Sequence, residues 1–233
     1  GRSMDWKTDM HSNLWVFPRG MKRNGETGEN SLEWTSRYGS VVTSAFEIAS
    51  TDGMNEKGLV ANLLWLPETE YPVRDKNKPG LAITAWVQYM LDNFATVEEA
   101  VAYIDEDTFQ VVSDMMPDGS RLATLHLSIS DATGDCAIFE YIGGKLTVYH
   151  SKEYKVMTNS PTYNKQLALS EYWKSIGGLS FLPGTNRAAD RFARASFYIN
   201  ALPETDDERI AVASVFSVVR NASVPYGIST PES

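Results

Sequence analysis

The sequence predicts an α+β fold, in which strand-forming and helix-forming segments are grouped instead of strictly alternating. Leu125, Leu127 and Ile129 alternate with polar residues, and turn residues follow at 131–134 and 143–144. This is the pattern of a three-stranded antiparallel meander. Apolar residues at helical spacing fall in separate runs. That separation favours a layered α+β domain over a doubly wound parallel sheet.

Further strands and helices are predicted on either side of this meander. A hairpin fits residues 50–66, and its polar turn at 55–58 is interpreted as hairpin chemistry. Residues 154–159 are interpreted as a strand that ends before Pro161. Apolar spacing, a Thr96-x-x-Glu99 capping box and a break at Pro203 predict helices. They cover residues 81–94, 96–104, 188–202 and 206–219.

The composition is that of one globular domain covering residues 1–233. The chain is 42% hydrophobic and 22% charged, with a formal net charge of −9. This acidic balance argues against a nucleic-acid surface, because phosphate binding requires clustered lysine and arginine. No apolar run reaches the roughly 18 residues that cross a bilayer. We therefore expect no nucleic-acid partner and no membrane insertion.

Common nucleophile and metal-binding signatures are absent from the sequence. Cys136 is the only cysteine, and His11, His126 and His150 have no zinc-ligand spacing. There is no G-x-S-x-G and no S-x-x-K motif. Cys136 lies within a predicted strand, where we expect a small packing residue instead of a nucleophile. No metal and no cofactor are expected.

Three segments carry polar residues that allow two interpretations each. Arg2 and Asp5 in "GRSMDW" can form a surface salt bridge or belong to a site. Asn159, just before Pro161, can cap the next element or donate its amide to an oxyanion. The charges around Arg191 in "AADRFARASF" can lie on a solvated helix face or in a site.

Six segments, taken in order, resemble the choloylglycine hydrolase family, which includes bile salt hydrolases and penicillin V acylases. They are "GRSMDW", "TDGMNEKGLVANLLWLPE", "SISDATGD", "VMTNSPTYNKQL", "LPGTNRAADRFARASF" and "VPYGISTPES". Each motif alone is weak, but six in register cover essentially the whole chain. The resemblance implies the four-layer αββα sandwich of N-terminal-nucleophile hydrolases, in which two antiparallel sheets lie between helices.

The resemblance also implies a mechanism and its residues. In this family a cysteine at the mature N-terminus attacks an amide carbonyl, and its own α-amino group is the base. Arg2 matches the arginine beside the sulfur, and Asp5 matches the aspartate that orients the amino group. Asn159 matches the asparagine that helps to hold the oxyanion, and Arg191 matches the second arginine of the site.

The implied activity is hydrolysis of a linear amide in a small molecule: penicillin V, an N-acyl homoserine lactone or a conjugated bile acid. Trp65 stands where many bile salt hydrolases carry asparagine. In having tryptophan at this position, the chain resembles acylases of the Gram-negative branch. Trp6 or Trp15 would add an aromatic wall for an aryloxyacetyl or fatty acyl group. Two alternatives remain: a non-catalytic acyl-ligand-binding protein of the same fold, and an acid-ceramidase-like amidase.

By the same resemblance, the chain is expected to be a fragment that is incomplete at both termini. The nucleophile strand would precede Gly1 and the last strands would follow Ser233, so we expect the fragment alone to be inactive. A periplasmic or secreted location is implied, because Gram-negative relatives usually carry an export signal. A homotetramer is the family's usual assembly, although the region of its extended hairpin, residues 177–185, is short here.

Overall fold

The computed structural model describes residues 1–6, 8–177 and 180–225. The chain divides into two compact units. The larger unit is Met10–Tyr154, and the smaller combines Gly1–Asp9 with Lys155–Ser233. This division does not test the expected single domain over residues 1–233, which stays a prediction.

A seven-stranded antiparallel sheet forms the framework of the larger unit and confirms the predicted α+β class. Its strands, in spatial order, are β1 (Leu14–Phe17), β4 (Ser40–Ala45), β5 (Ala49–Asn55), β6 (Val60–Trp65), β9 (Leu125–Ser130), β10 (Cys136–Ile142) and β11 (Lys145–His150). Two strand pairs lie outside it: β2 (Lys22–Asn24) with β3 (Glu33–Thr35), and the parallel pair β7 (Gly80–Ala82) with β8 (Gln110–Val112). The predicted meander and the hairpin at 50–66 are therefore present.

The core lies on one face of this sheet. Leu63, Leu127 and Phe139 are cross-strand neighbours on β6, β9 and β10, and all three are buried. Helices α1 (Trp86–Asn93) and α2 (Val97–Ile104) supply the opposing apolar side chains, including Trp86, which is 1% exposed. Burying this alternate row of side chains fixes the register, since a one-residue slip would move it to the other face.

Asn55 fastens the hairpin turn between β5 and β6 to the end of α1. Its Nδ2 donates to the carbonyls of Leu91 and Phe94 at 2.8 Å. Its Oδ1 accepts from the backbone N–H groups of Lys57 and Leu59 at 3.0 Å. The turn is therefore structural, as its polar pattern predicted.

Replacing Asn55 with alanine is expected to destabilise the protein by about 2–4 kcal/mol, because buried carbonyls and N–H groups lose their partners. Urea unfolding of the variant measures this loss. The matched control is Asn200→Ala, since Asn200 is exposed and makes surface bonds, to the Ser196 carbonyl and from the Lys155 ammonium at 3.3 Å. Equal midpoints for both variants would contradict the role given to Asn55.

The N-terminus of α2 is capped from two sides. The Thr96 hydroxyl accepts from the Glu99 N–H at 3.2 Å, as the capping box predicted. The Asp131 carboxylate, in the β9–β10 turn, accepts from the Val97 N–H at 2.8 Å. Partial burial would raise the pKa of Asp131, but hydrogen bonds from Thr133 and Val97 outweigh it and lower that pKa. Asp131 thus joins the meander to the helix as a carboxylate.

Asp131→Asn is expected to cost about 1 kcal/mol at neutral pH, because the amide keeps an acceptor oxygen but loses the negative charge that strengthens the bonds at the start of α2. An acid whose pKa is lowered on folding adds stability above its unfolded pKa of about 3.9 and loses it as pH falls through the folded value. The melting temperatures of wild type and variant should therefore converge below about pH 4. Thermal melts across pH 7 to 2.5 test this, with the exposed Glu153→Gln as control; a pH-independent gap would contradict it.

Two predicted elements are wrong or shortened. Residues 154–159 do not form a strand. A strand needs a neighbouring strand to pair with, and the described residues of the smaller unit contain no strand. The predicted helix at 81–94 begins only at Trp86. Leu81 lies in β7 and is paired with Val111, because its backbone joins a parallel ladder before a 3₁₀ turn, Ile83–Ala85, leads into α1.

The described part of the smaller unit is helical. Its helices are α3 (Tyr163–Gly177), α4 (Ala188–Ala201) and α5 (Glu208–Ala222), of which the last two were predicted to within a few residues at each end. Gly1 lies directly against α5, since a Cβ there would come within 3.1 Å of Val215 and 3.2 Å of Val219. The expected assembly hairpin at 177–185 includes residues 178 and 179, which lie outside the described residues. Over the described ranges, the helices fall short of the length and apolar character that would span a membrane.

Candidate active site

Arg191 and Asn159 form the centre of a polar cluster in the smaller unit. The Arg191 Nη2 donates to Asn159 Oδ1 at 2.9 Å, and its Nε donates to the Asn186 carbonyl at 3.0 Å. Arg191 is only 7% exposed, so these bonds replace water around the guanidinium. Because Arg191 takes the oxygen of the Asn159 amide, the orientation of that amide is defined.

Asp5 acts electrostatically on Arg191. Burial lowers the pKa of the Arg191 guanidinium, the negative charge of Asp5 raises it, and the nearby Arg194 lowers it further. The Ser3 hydroxyl donates to Asp5 Oδ1 at 3.2 Å. The negative charge of Asp5 therefore acts on the buried guanidinium of α4, and the catalytic role of Asp5 stays a prediction.

The solvated-face interpretation of α4 is wrong for both of its buried arginines. Arg194, 9% exposed, donates to the carbonyls of Pro183 and Thr185 at 2.8 Å and to Asn221 Oδ1 at 3.2 Å. It thereby ties the loop before α4 to the end of α5. Arg194 is a structural cation, whereas Arg191, one turn earlier, holds the Asn159 side chain.

The remaining predicted site residues differ in their surroundings. Arg2 and Trp6 are partly buried in the smaller unit, and Arg2 Nε has no contact with solvent. Trp65, in the larger unit, donates from Nε1 to Thr124 Oγ1 at 3.1 Å, and the Arg121 guanidinium lies 4.3 Å above its ring. Trp65 is thus held in one orientation.

Trp15 lines a cavity within the larger unit. The cavity has a volume of about 860 Å³, and all of its lining residues come from positions 15–88. Trp15 stacks on Phe17 with ring centroids 6.3 Å apart and donates to Ser44 Oγ at 3.2 Å. None of Arg2, Asp5, Asn159 and Arg191 lines this cavity.

Cys136 has the surroundings of a packing residue. It is the first residue of β10, pairs with Ser130 and is partly buried. Its nitrogen belongs to the peptide bond with Asp135 and donates to the Asp135 carboxylate at 3.0 Å, and an amide nitrogen offers no α-amine base. Within the described residues, no group of three or more histidine, cysteine or acidic side chains is arranged to hold a metal ion.

Sequence reasoning missed Gln166, which is fully buried beneath the Asn159 segment. Its Nε2 donates to the carbonyls of Asn159 and Pro161, and its Oε1 lies 3.2 Å from Thr158 Oγ1. The available signal was its position in "SPTYNKQL", one turn into the helix that Pro161 precedes. The outcome is an asparagine whose backbone carbonyl is held by Gln166 and whose side-chain oxygen is held by Arg191, the cation on which Asp5 acts. Such a group can donate a hydrogen bond to a developing oxyanion.

Known proteins match this chain along its whole length. The profile described as "Linear amide C-N hydrolases, choloylglycine hydrolase family" matches residues 1–233. The chain is 54% identical to a penicillin V acylase of Pectobacterium atrosepticum over 99% of its own length, and it spans 66% of the length of that relative. It is 28% identical to a bile salt hydrolase/transferase of Clostridium perfringens, covering 97% of this chain and 75% of the relative.

The fold agrees with solved structures of the same kind. Penicillin V acylase from Agrobacterium tumefaciens superposes with a TM-score of 0.92 at 60% identity, covering 100% of this chain and 70% of the other. A variant of conjugated bile acid hydrolase from Clostridium perfringens gives 0.79 at 28% identity, covering 96% of this chain and 75% of the other. These neighbours have the N-terminal-nucleophile hydrolase fold, as expected from the sequence.

Proposed function

We propose that this chain, which belongs to the choloylglycine hydrolase family of linear amide C–N hydrolases, is part of an enzyme that cleaves an acyl amide of a small molecule. The observation that carries the proposal is the Arg191–Asn159 hydrogen bond at 2.9 Å with Asp5 acting on Arg191. A side-chain amide that donates to an oxyanion must be held in one orientation. The buried Arg191 holds the Asn159 amide in this way, through its oxygen.

The proposed reaction assigns a separate task to each group. The thiol of an N-terminal cysteine, in the part of the protein before Gly1, forms a bond to the amide carbonyl carbon, and its α-amine takes the thiol proton. Asp5 orients that amine and Arg2 favours the thiolate. Asn159 donates to the oxyanion, the C–N bond breaks, and the leaving amine takes the proton. Water then cleaves the thioester and releases the acid.

Among amides, we propose an aryloxyacetyl amide such as penicillin V as the first substrate to test. Identity to the penicillin V acylase, at 54%, is about twice that to the bile salt hydrolase/transferase, at 28%. Trp65 offers an indole instead of an asparagine amide, which suits apolar acyl groups better than a polar conjugate. N-acyl homoserine lactones, which also carry an apolar acyl group on a linear amide, are the second class.

The test is a substrate panel with the full-length protein. Penicillin V, N-acyl homoserine lactones and glycine- or taurine-conjugated bile acids are incubated separately, and both products are quantified by chromatography and mass spectrometry. Release of acid and amine in equal amounts supports the proposal. Binding of the amides without any release favours the non-catalytic alternative, and cleavage restricted to N-acyl sphingosines favours the acid-ceramidase-like one.

We also propose a periplasmic or secreted location for the full-length protein and keep a homotetramer as the expected assembly. The support is the resemblance to acylases of the Gram-negative branch, and two similar acylases come from Pectobacterium and Agrobacterium. Osmotic-shock fractionation of the native host tests the location, and light scattering of the full-length protein tests the assembly. Recovery with cytoplasmic markers, or a clean monomer, would overturn the respective proposal.

A further inference from the structure

We infer that Gln166 is a positioning residue for the proposed amide hydrolysis, acting through Asn159. It holds the backbone on both sides of Ser160 so that the Asn159 side chain meets Arg191 in one orientation. This inference rests on the proposed function, because positioning of Asn159 has a catalytic meaning only if Asn159 serves the oxyanion. Gln166 itself lies under the segment and is not assigned any contact with substrate.

The geometry around Gln166 uses both ends of its amide. The Nε2 group donates to the Asn159 carbonyl at 2.5 Å and to the Pro161 carbonyl at 2.7 Å. The Oε1 atom lies 3.2 Å from the Thr158 hydroxyl. The side chain is 0% exposed. The Gln166 amide therefore contacts three residues of the segment 158–161, namely Thr158, Asn159 and Pro161.

Within the described residues, no strand is paired with this segment, so the side-chain bonds are its visible support. Residues 155–162 form neither strand nor helix, and the described residues of the smaller unit contain no strand that could pair with them. Backbone carbonyls removed from water need a donor. Gln166 supplies two donors from the first turns of α3, which is a stable support.

The same segment is fixed from the side of α4. The Thr158 hydroxyl lies 2.9 Å from the Ala188 carbonyl, in the first turn of α4, and Arg191 of that helix donates to Asn159 Oδ1 at 2.9 Å. The Asn159 backbone is thus held by α3 and its side chain by α4. Catalytic donors lose much of their effect when displaced by about 0.5 Å or more, so loss of either support should reduce turnover.

A purely structural role for Gln166 makes a different prediction. In that case its loss would lower stability, and the remaining folded enzyme would turn over normally. A positioning role acts on the transition state, so it lowers kcat and leaves KM nearly unchanged. Gln110 offers a matched control in the larger unit. It is 7% exposed, donates to the Val73 carbonyl at 2.9 Å and accepts from the Asp75 N–H at 2.8 Å.

The experiment compares Gln166→Met with Gln110→Met in the full-length protein, using penicillin V or the panel amide with the highest turnover. Both variants should lose stability. We expect kcat to fall by roughly 10- to 100-fold for Gln166→Met only, a fraction of the loss of an oxyanion donor. Rates are measured well below each melting temperature and normalised to folded protein, so that unfolding cannot mimic the effect.

The decisive arm is the double variant Asn159→Ala with Gln166→Met. If Gln166 acts through Asn159, the double variant should have the kcat of Asn159→Ala alone, because nothing is left to position. Additive losses, or wild-type kcat in folded Gln166→Met, would overturn the inference while the proposed function stands. Absence of turnover in the wild type on every amide would overturn the proposed function, and the catalytic role of Gln166 with it. A crystal structure of Gln166→Met with Asn159 unmoved against Arg191 would overturn the positioning geometry independently of activity.

Discussion

Asp5→Asn in the full-length protein is expected to lower kcat by about 10³-fold, the largest effect of any single substitution in the cluster. An orienting aspartate that loses its charge but keeps its shape leaves its partner wrongly arranged for proton transfer, and such losses reach about 10⁴-fold elsewhere. Here the carboxylate would orient the terminal amine. Its charge also raises the pKa of the Arg191 guanidinium, which burial lowers. Steady-state kinetics on the best panel amide measures the effect.

The matched control for Asp5 is Asp206→Asn. Asp206 is an exposed aspartate of the same unit, so it tests whether losing one negative charge matters in itself. Near-wild-type kcat for Asp206→Asn together with a large loss for Asp5→Asn supports the assignment. If folded Asp5→Asn kept more than about a tenth of wild-type turnover, Asp5 would be a surface charge and not a group of the site.

Asn159→Ala should reduce kcat by about 10²-fold or more, with a smaller change in KM. Removal of one oxyanion donor typically has this effect, because the hydrogen bond strengthens only as charge develops on the carbonyl oxygen. The variant also leaves Arg191 without its 2.9 Å acceptor, so a loss of stability of about 1–3 kcal/mol is expected alongside.

Asn200→Ala separates the two effects, because Asn200 is an exposed asparagine on α4 that donates to Ser196 and accepts from Lys155, away from Arg191. It should leave kcat unchanged. If folded Asn159→Ala turned over at the wild-type rate, Asn159 would serve only as a polar link between the 158–161 segment and α4, and the oxyanion assignment would be wrong.

The sequence alone predicted the elements whose signals are local. Thr96 and Glu99 predicted the start of α2, because both partners of a capping box lie within one turn. Gly143 and Gly144 predicted the β10–β11 turn, where both take positive φ values of 56° and 75°. The helices around Arg191 and after Pro203 were also predicted, from apolar spacing and from a residue that cannot continue a helix.

Features that depend on distant partners could not be predicted in this way. Leu81 has the spacing of a helix residue but lies in a strand, because Val111 of a distant segment pairs with it. The burial of Arg194 depends on carbonyls at Pro183 and Thr185 that accept from it. Asn159 was selected by resemblance alone, since its residue type and position fit a cap equally well. Its contact with Arg191, 32 positions later, could not be read from either segment alone.

The most direct test of the account is to trap and map the acyl-enzyme. The full-length protein is mixed with penicillin V, quenched in acid within one turnover, digested, and analysed by mass spectrometry for a phenoxyacetyl group. The account predicts a thioester on a cysteine at the mature N-terminus, upstream of Gly1, and an unmodified Cys136. A phenoxyacetyl group on Cys136, or turnover without any acylated N-terminal residue, would contradict the proposed mechanism.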